Sequence, residues 1–445
     1  MNTPICDFVR RYSGENTLRL HMPGHKGHGP LGVETLDITE VKGADSLYEA
    51  EGIIRESEDN ASQLFGCPTF YSTEGSSQCI RAMLHLATLT ERQKGVRPLV
   101  AAARNAHKTF LSAVALLDLD VMWLTPRQPD SYLSCLLDPQ ELNQTLSNAE
   151  TKPAAVYLTS PDYLGNLSDL ESIAKVCHAH DVLLLVDNAH GAYLKFLPQS
   201  LHPIDLGADI CCDSAHKTLS VLTGGAYLHL SPHVPAEMLS QVKNALALFG
   251  STSPSYLILQ SLDAANATLA EGYQEQLKNF VGQVEQCKKH LVEHGHHLLN
   301  NEPLKITLRT KPYGYTGVQL AAFLREEGIV CEFADPDFAV MMLTPAIGIE
   351  GLMRLEQALL QIPQKKALEE HMPPFHICQP VMSVRDAMFA SNEVIPVFQS
   401  EGRILSAPSV GCPPAVPIVV CGERIDAAAI ETFSYYGIET CNVVR

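Results

Sequence analysis

The sequence predicts an α/β protein: a large, mostly parallel sheet, then a smaller α/β lobe and a small C-terminal unit. Three observations carry that prediction. Short apolar runs of strand length alternate with stretches of helical period, which is how parallel strands covered by helices read. The alternation stops for a long polar stretch and then resumes, which calls for a second lobe. With 445 residues, 46% hydrophobic and 18% charged, the chain has material for about three units of ~150 residues and lies outside the disordered class.

Residues 1–45 are rich in Gly, Pro and His and poor in apolar periodicity, so they read as an extended arm. From Glu49 the pattern turns helical through Ile53, Ile54, Ala61, Leu64 and Phe65. Leu99–Ala103, Ala155–Thr159, Leu183–Val186 and Asp209–Cys212 read as buried strands. Ser77–Thr88, Thr109–Leu117 and Leu170–His180 read as helices between them. Pro254 to Leu299 is polar and helix-forming. Lys305–Leu308 opens the second lobe, followed by a helix over Val318–Glu327, strands over Val330–Phe333 and Ala339–Leu343, and a helix over Glu350–Gln361. Pro363 to Pro380 reads as a linker. Ala407–Pro417 carries four prolines, and Ile418–Cys421 reads as a strand. The expected divisions are an arm (1–45), a large domain (46–300), a small lobe (301–365) and a C-terminal domain (366–445).

The net charge is −18, from 32 basic and 50 acidic residues. Such a surface repels nucleic-acid phosphates and suits a cationic partner. No run approaches the ~20 apolar residues of a membrane span. Met1 to Gly14 carries Asp7, Arg10 and Arg11 and does not read as a secretory signal. The 13 cysteines show no metal-like spacing, and adjacent Cys211 and Cys212 form no CxxC pair. They read as thiols of a reducing cytoplasm. His294, His296 and His297 read as solvated surface rather than a metal site.

Four pieces carry chemistry. Lys217, in Ser214-Ala215-His216-Lys217, follows a predicted strand, where a lysine can present its amine to an aldehyde. Taken alone, it reads as one more solvated lysine. Asp187 ends the run Leu183–Val186, and a carboxylate there is costly to bury without a cation. A protonated pyridine nitrogen is such a cation, and pyridoxal phosphate (PLP) enzymes use that pairing together with a lysine. Both residues sit at strand ends, where parallel sheets bind ligands. Ser72-Thr73-Glu74-Gly75-Ser76-Ser77 precedes a helix and forms an anion cup from hydroxyls, backbone N–H groups and the helix dipole. By itself it reads equally as a plain N-cap. His107, in Arg104-Asn105-Ala106-His107-Lys108, follows a strand; it reads as a ring-stacking residue or as a hydrogen-bonded loop histidine.

In this order the four pieces resemble the Orn/Lys/Arg decarboxylase family, the PLP fold type I decarboxylases of basic amino acids. The likeness extends to Leu20-His21-Met22-Pro23-Gly24-His25-Lys26-Gly27, Asp37-Ile38-Thr39-Glu40-Val41, Asp187–Gly191 and Ser253-Pro254-Ser255-Tyr256. It implies that Lys217 holds the cofactor aldehyde, Asp187 pairs with the pyridinium and His107 stacks on the ring. Gly75, Ser76, Ser77, Ser214 and His216 are implied as phosphate-site residues, and Ala189 as packing on the other ring face. Thr252 and Ser253 are implied to reach the phosphate of a neighbouring subunit, so the resemblance implies a homodimer. The implied reaction is decarboxylation of arginine or lysine, with ornithine as third candidate, for polyamine biosynthesis. Other PLP reactions, such as transamination or retro-aldol cleavage, and an inactive regulatory relative are the alternatives.

The chain departs from the family pattern at Glu74, where many relatives have Asn, and a carboxylate beside a phosphate is unfavourable unless it turns away. It departs again in Cys412-Pro413-Pro414-Ala415-Val416-Pro417, where relatives read Tyr-Pro-Pro-Gly-Ile-Pro. Glu423 is kept, and the family pattern makes it the candidate for the substrate's distal cation, ahead of Asp45 and Glu51. The chain looks like the compact members of Gram-positive and cyanobacterial lineages, without a receiver-like wing domain.

Overall fold

The computed structural model describes residues 1–126, 131–299, 302–408 and 414–445. Cys412 and Pro413 of the altered proline segment lie outside the described residues. Among the described residues, seven strands lie between Thr69 and Leu230: β1 (Thr69–Ser72), β2 (Leu99–Ala103), β3 (Asp120–Leu124), β4 (Ala155–Thr159), β5 (Leu183–Asp187), β6 (Ile210–Asp213) and β7 (Ala226–Leu230). Four more build the lobe: β8 (His297–Leu299), β9 (Lys305–Arg309), β10 (Phe333–Ala334) and β11 (Phe338–Met342). The C-terminal part holds β12 (Gln379–Pro380), β13 (Asn392–Pro396), β14 (Leu405–Ala407), β15 (Glu423–Arg424) and β16 (Thr440–Val444). The chain divides into two compact units, Met1–Thr90 with Leu170–Leu277, and Glu91–Asp169 with Lys278–Arg445.

In the first unit the strands run in the order β1-β7-β6-β5. β5 and β6 are parallel, with Asp187 opposite Cys212. β7 is antiparallel to both β6 and β1. β7 does not stand out in the sequence because His229 interrupts its apolar run. The structure shows why a histidine is tolerated there. Asp213 accepts from His229 Nε2 at 3.1 Å and from His202 Nε2 at 3.2 Å, and all three side chains are fully buried. Burial by itself would raise the Asp213 carboxyl; the two imidazoles outweigh it and hold the carboxyl well below the usual range.

The arm is not extended throughout. Pro4–Gly14 forms a helix, with proline in its first turn. Ile5 and Val9 are fully buried, and the helix packs on helices Ile53–Phe65 and Tyr256–Ala270. Asp263 ties the three together: it accepts from the Cys6 backbone N–H at 2.9 Å and from Ser57 Oγ at 2.6 Å. The apolar stripe of this helix is one turn long and flanked by Asp7, Arg10 and Arg11, too short to stand out in the sequence.

In the second unit β2 runs parallel to both β3 and β4. The lobe is an antiparallel sheet in the order β10-β11-β9-β8, and β13-β16-β14 form a separate antiparallel sheet. Three expectations fail here. Ile418–Cys421 is not a strand but a run of bends and turns; all four residues are buried, and Ile418 and Val419 enter a core with Tyr132, Phe433 and Val443, so burial rather than strand pairing explains its apolar character. The expected strand Val330–Phe333 shrinks to β10, with Val330 exposed. His296 is buried rather than solvated: it stacks on Tyr313 at 4.0 Å and its Nε2–H donates to the Leu359 carbonyl at 3.2 Å. His294 and His297 are exposed.

Candidate active site

β5 and β6 are parallel neighbours, so the loops after them leave one edge of the sheet, the edge where ligands bind. β6 ends at Asp213, Ser214 stands at the N-cap position of the short helix Ala215–Thr218 without a side-chain capping bond, and Lys217 rides on that helix. Lys217 Nζ lies 3.0 Å from Nε2 of His190, a buried residue of the loop after β5. Asp187, at the end of β5, is 3% exposed. Its Oδ1 accepts from the Ala189 backbone N–H at 3.2 Å and from Cys212 Sγ at 3.8 Å. Asn188 turns the other way and donates to Asp213 Oδ1 at 2.6 Å, which joins this loop to the buried His202–Asp213–His229 group. The parallel pairing thus brings Lys217 and Asp187 to one edge, and it adds His190, to which the sequence reading gave no role although it lies inside the Asp187–Gly191 motif.

The cup forms at the start of helix Gly75–Ala87. Gly75 has φ +71°, a left-handed conformation that favours glycine, and a Cβ there would meet open space. Its N–H is spent on the Gly224 carbonyl at 2.7 Å, so the cup relies on the residues after it. Ser214 Oγ donates to Ser76 Oγ at 2.9 Å, linking the cup to the lysine loop. Glu74 is exposed and accepts from the Ser251 backbone N–H at 2.5 Å. Its carboxylate is engaged with the Ser251–Ser253 segment, and Thr252 and Ser253 are exposed.

His216 Nδ1–H donates to the Gly225 carbonyl at 3.0 Å. Burial pushes its pKa down, and the charge of Lys217 adds to that against the Gly225 hydrogen bond. A neutral His216 so tethered has only an acceptor at Nε2, so it contacts an anion only by taking up a proton. Asp45 is a capping residue: its two oxygens accept from the backbone N–H groups of Ser46, Glu51, Gly52, Ile54 and Arg55. That consumes the acceptors a substrate cation would need.

His107 and Glu423 belong to the second unit. His107 is the N-cap of helix Lys108–Leu117; its Nδ1 accepts from the Thr109 backbone N–H at 3.1 Å, which fixes the ring's orientation. Glu423 is 2% exposed. Its Oε2 accepts from Arg104 Nη2 at 3.2 Å and from the Val420 N–H at 2.7 Å. Arg104 also donates to the carbonyls of Pro417 and Ile418. Burial raises the Glu423 carboxyl, with Arg104 acting against it. Two groups of potential metal ligands, His202/Cys211/Asp213 and His376/Cys378/Asp426, contain internal bonds, such as His376 Nε2 to Asp426 Oδ2 at 2.6 Å.

The donor set fits PLP: an amine beside an imidazole, a buried carboxylate on the same edge, and hydroxyls at an open helix N-terminus. Residues 3–308 match the Orn/Lys/Arg decarboxylase major domain. The chain belongs to that family. It is a PLP-dependent amino acid decarboxylase of fold type I. It is 28% identical over 464 residues to "Uncharacterized protein YaaO" of Bacillus subtilis, covering 98% of this chain and 94% of that one. It is 28% identical over 455 residues to the arginine decarboxylase of Bacillus subtilis, covering 95% and 91%. The lysine decarboxylase LdcF of Francisella novicida superposes with a TM-score of 0.82 at 16% identity, over 100% of this chain and 81% of that one. Among the described residues of this decarboxylase, no helix is long and apolar enough to cross a membrane.

Proposed function

We propose that the enzyme removes the α-carboxylate of a basic amino acid, arginine ahead of lysine and ornithine, as a cytoplasmic homodimer that feeds polyamine synthesis. The observation that carries this reading is the 3.0 Å approach of Lys217 to His190 on the sheet edge that also ends in buried Asp187. Arginine is placed first because the chain is similar, over almost its full length, to a protein named arginine decarboxylase.

PLP, when bound, supplies an electron sink for the bond that breaks. Lys217 would hold its aldehyde carbon and give way to the substrate amine. Once released, the Lys217 amine has His190 as a proton partner, so the pair can return a proton to Cα after carbon dioxide leaves. Asp187, shielded from water, would keep a proton on the ring nitrogen. Ser76, Ser77 and Ser214 would hold the phosphate with Gly75 leaving room, His216 would join them as a cation, and Ala189 and His107 would cover the ring faces. Thr252 and Ser253 are assigned to the partner subunit's phosphate. Glu423 remains the family-pattern candidate for the distal cation, in competition with Arg104. Division into arm 1–45, large domain 46–300, lobe 301–365 and C-terminal domain 366–445 is retained as a functional subdivision.

The test is a product assay of the purified holoenzyme with arginine, lysine and ornithine. Carbon dioxide with agmatine, cadaverine or putrescine supports the reading, and the fastest substrate names the preference. A keto acid or an aldehyde in place of the amine would overturn it.

A further inference from the structure

We propose that a cavity in the second unit, bounded by the lobe hairpin and the C-terminal helix, binds a short-chain alkylammonium ion. The cavity measures about 410 Å3 and is lined by Tyr132, Phe333, Asp335, Val416, Ile418 and Tyr436, among others. That volume suits a small organic molecule. No residue assigned to the decarboxylase mechanism lines it.

Asp335 makes the cavity selective. It is 7% exposed. Its Oδ1 accepts from the backbone N–H groups of Asp337 and Phe338, each at 2.7 Å, which shapes the turn between β10 and β11. Its Oδ2 is buried and has no hydrogen-bond partner among the described residues. A buried oxygen in that state carries an uncompensated desolvation cost, larger for a charged group, and is a standing demand for a donor. The nearby cation does not meet it. Lys311 Nζ pairs with Asp337 Oδ1 at 3.1 Å and lies 3.8 Å from Glu370. Asp337 Oδ1 also accepts from the Tyr435 hydroxyl at 2.7 Å.

Two aspartates and a glutamate therefore share Lys311, and the group lacks a positive charge. Burial, helped by the charge of Asp337, pushes the Asp335 carboxyl up to about 7 against the turn N–H groups and Lys311. An ammonium ion would supply both the charge and the N–H. The walls suit the rest of such a ligand: Val416 and Ile418 for a carbon chain, and the rings of Tyr132, Phe333 and Tyr436 for a cation at close range. An alkylamine is also what loss of carbon dioxide from a basic amino acid leaves, so the site suits product sensing. That link, unlike the site itself, rests on the proposed decarboxylation.

The probe is N,N-dimethylpentylamine, a cation with one N–H that cannot form an imine with the cofactor, titrated calorimetrically into the holoenzyme. Saturable binding is expected, and Asp335→Asn, which keeps Oδ1 for the turn, should weaken it at least about tenfold, the weight of one charge-assisted hydrogen bond. Pentan-1-ol, with the same chain and no charge, should bind no better to the wild type than the amine binds to the variant. Binding should tighten from about pH 6 to about pH 8 as Asp335 ionises; Asp337, Lys311, Tyr435 and Tyr436 are the other titratable groups facing it. If Asp335→Asn fails to fold, Val318→Trp, a bulky ring at an exposed position of the cavity wall, decides: it should abolish binding. Equal affinity of the wild type and a folded Asp335→Asn or Val318→Trp protein would overturn the proposal, as would absence of binding. Both variants should decarboxylate at the wild-type rate, so failure of the product assay leaves this result standing and the reverse.

Discussion

Lys217 and Asp187 carry two separable demands, one covalent and one electrostatic. Lys217→Ala removes the only amine proposed to hold the cofactor aldehyde. After borohydride treatment, mass spectrometry should find the cofactor on Lys217 in the wild type and on no lysine in the variant. Asp187→Asn removes an anion and keeps its shape, so the Ala189 N–H retains an acceptor. The fold should survive and kcat should fall about a hundredfold or more, with KM little changed, because the charge that Asp187 balances develops in the transition state. An unchanged kcat would remove Asp187 from the mechanism. Both residues were legible in the sequence because each sits in a motif. His190 lies in the same Asp187–Gly191 motif, but a loop histidine has many bland explanations, and only its 3.0 Å approach to Lys217 Nζ gives it a task.

At the scale of elements, two contacts bind segments far apart in sequence. The N-terminal helix buries Ile5 against two other helices, so Ile5→Ala should cost about 2–5 kcal/mol of stability, read from urea unfolding with activity measured at low denaturant. An arm that merely lay on the surface would show almost no loss. Arg104 and Glu423 join the loop after β2 to β15, with side chains 2% and 3% exposed. Glu423→Gln leaves Arg104 buried without its counter-charge and should cost about 3–5 kcal/mol. A variant of wild-type stability with raised substrate KM would instead mark Glu423 as a substrate ligand.

For the whole molecule, the proposed site needs two chains. Lys217 and Asp187 come from one, and exposed Thr252 and Ser253 are assigned to the other. A Lys217→Ala chain mixed with a chain mutated at both Thr252 and Ser253 should recover activity toward about a quarter of wild type, since half the dimers are mixed and each rebuilds one site. No recovery, once native mass spectrometry shows mixed dimers, would end the shared-site proposal.

The sequence by itself determined the local order of this protein. Strands Leu99–Ala103 and Ala155–Thr159 were read with the bounds the structure shows, and the cup, Asp187 and Lys217 were placed at element ends, because periodicity and short motifs are properties of neighbouring residues. The tertiary structure decided what depends on distant partners. It made β7 a core strand by giving His229 the Asp213 carboxylate, and it turned the start of the arm into a helix by setting Ile5 and Val9 in a bed supplied by residues 53–65 and 256–270. It set Ile418 and Val419 in a core with Tyr132 and Phe433, outside any sheet, with the Ile418 carbonyl accepting from Arg104. In each case the deciding energy is burial or a hydrogen bond between residues well over a dozen positions apart, and such pairings leave no mark in a local pattern.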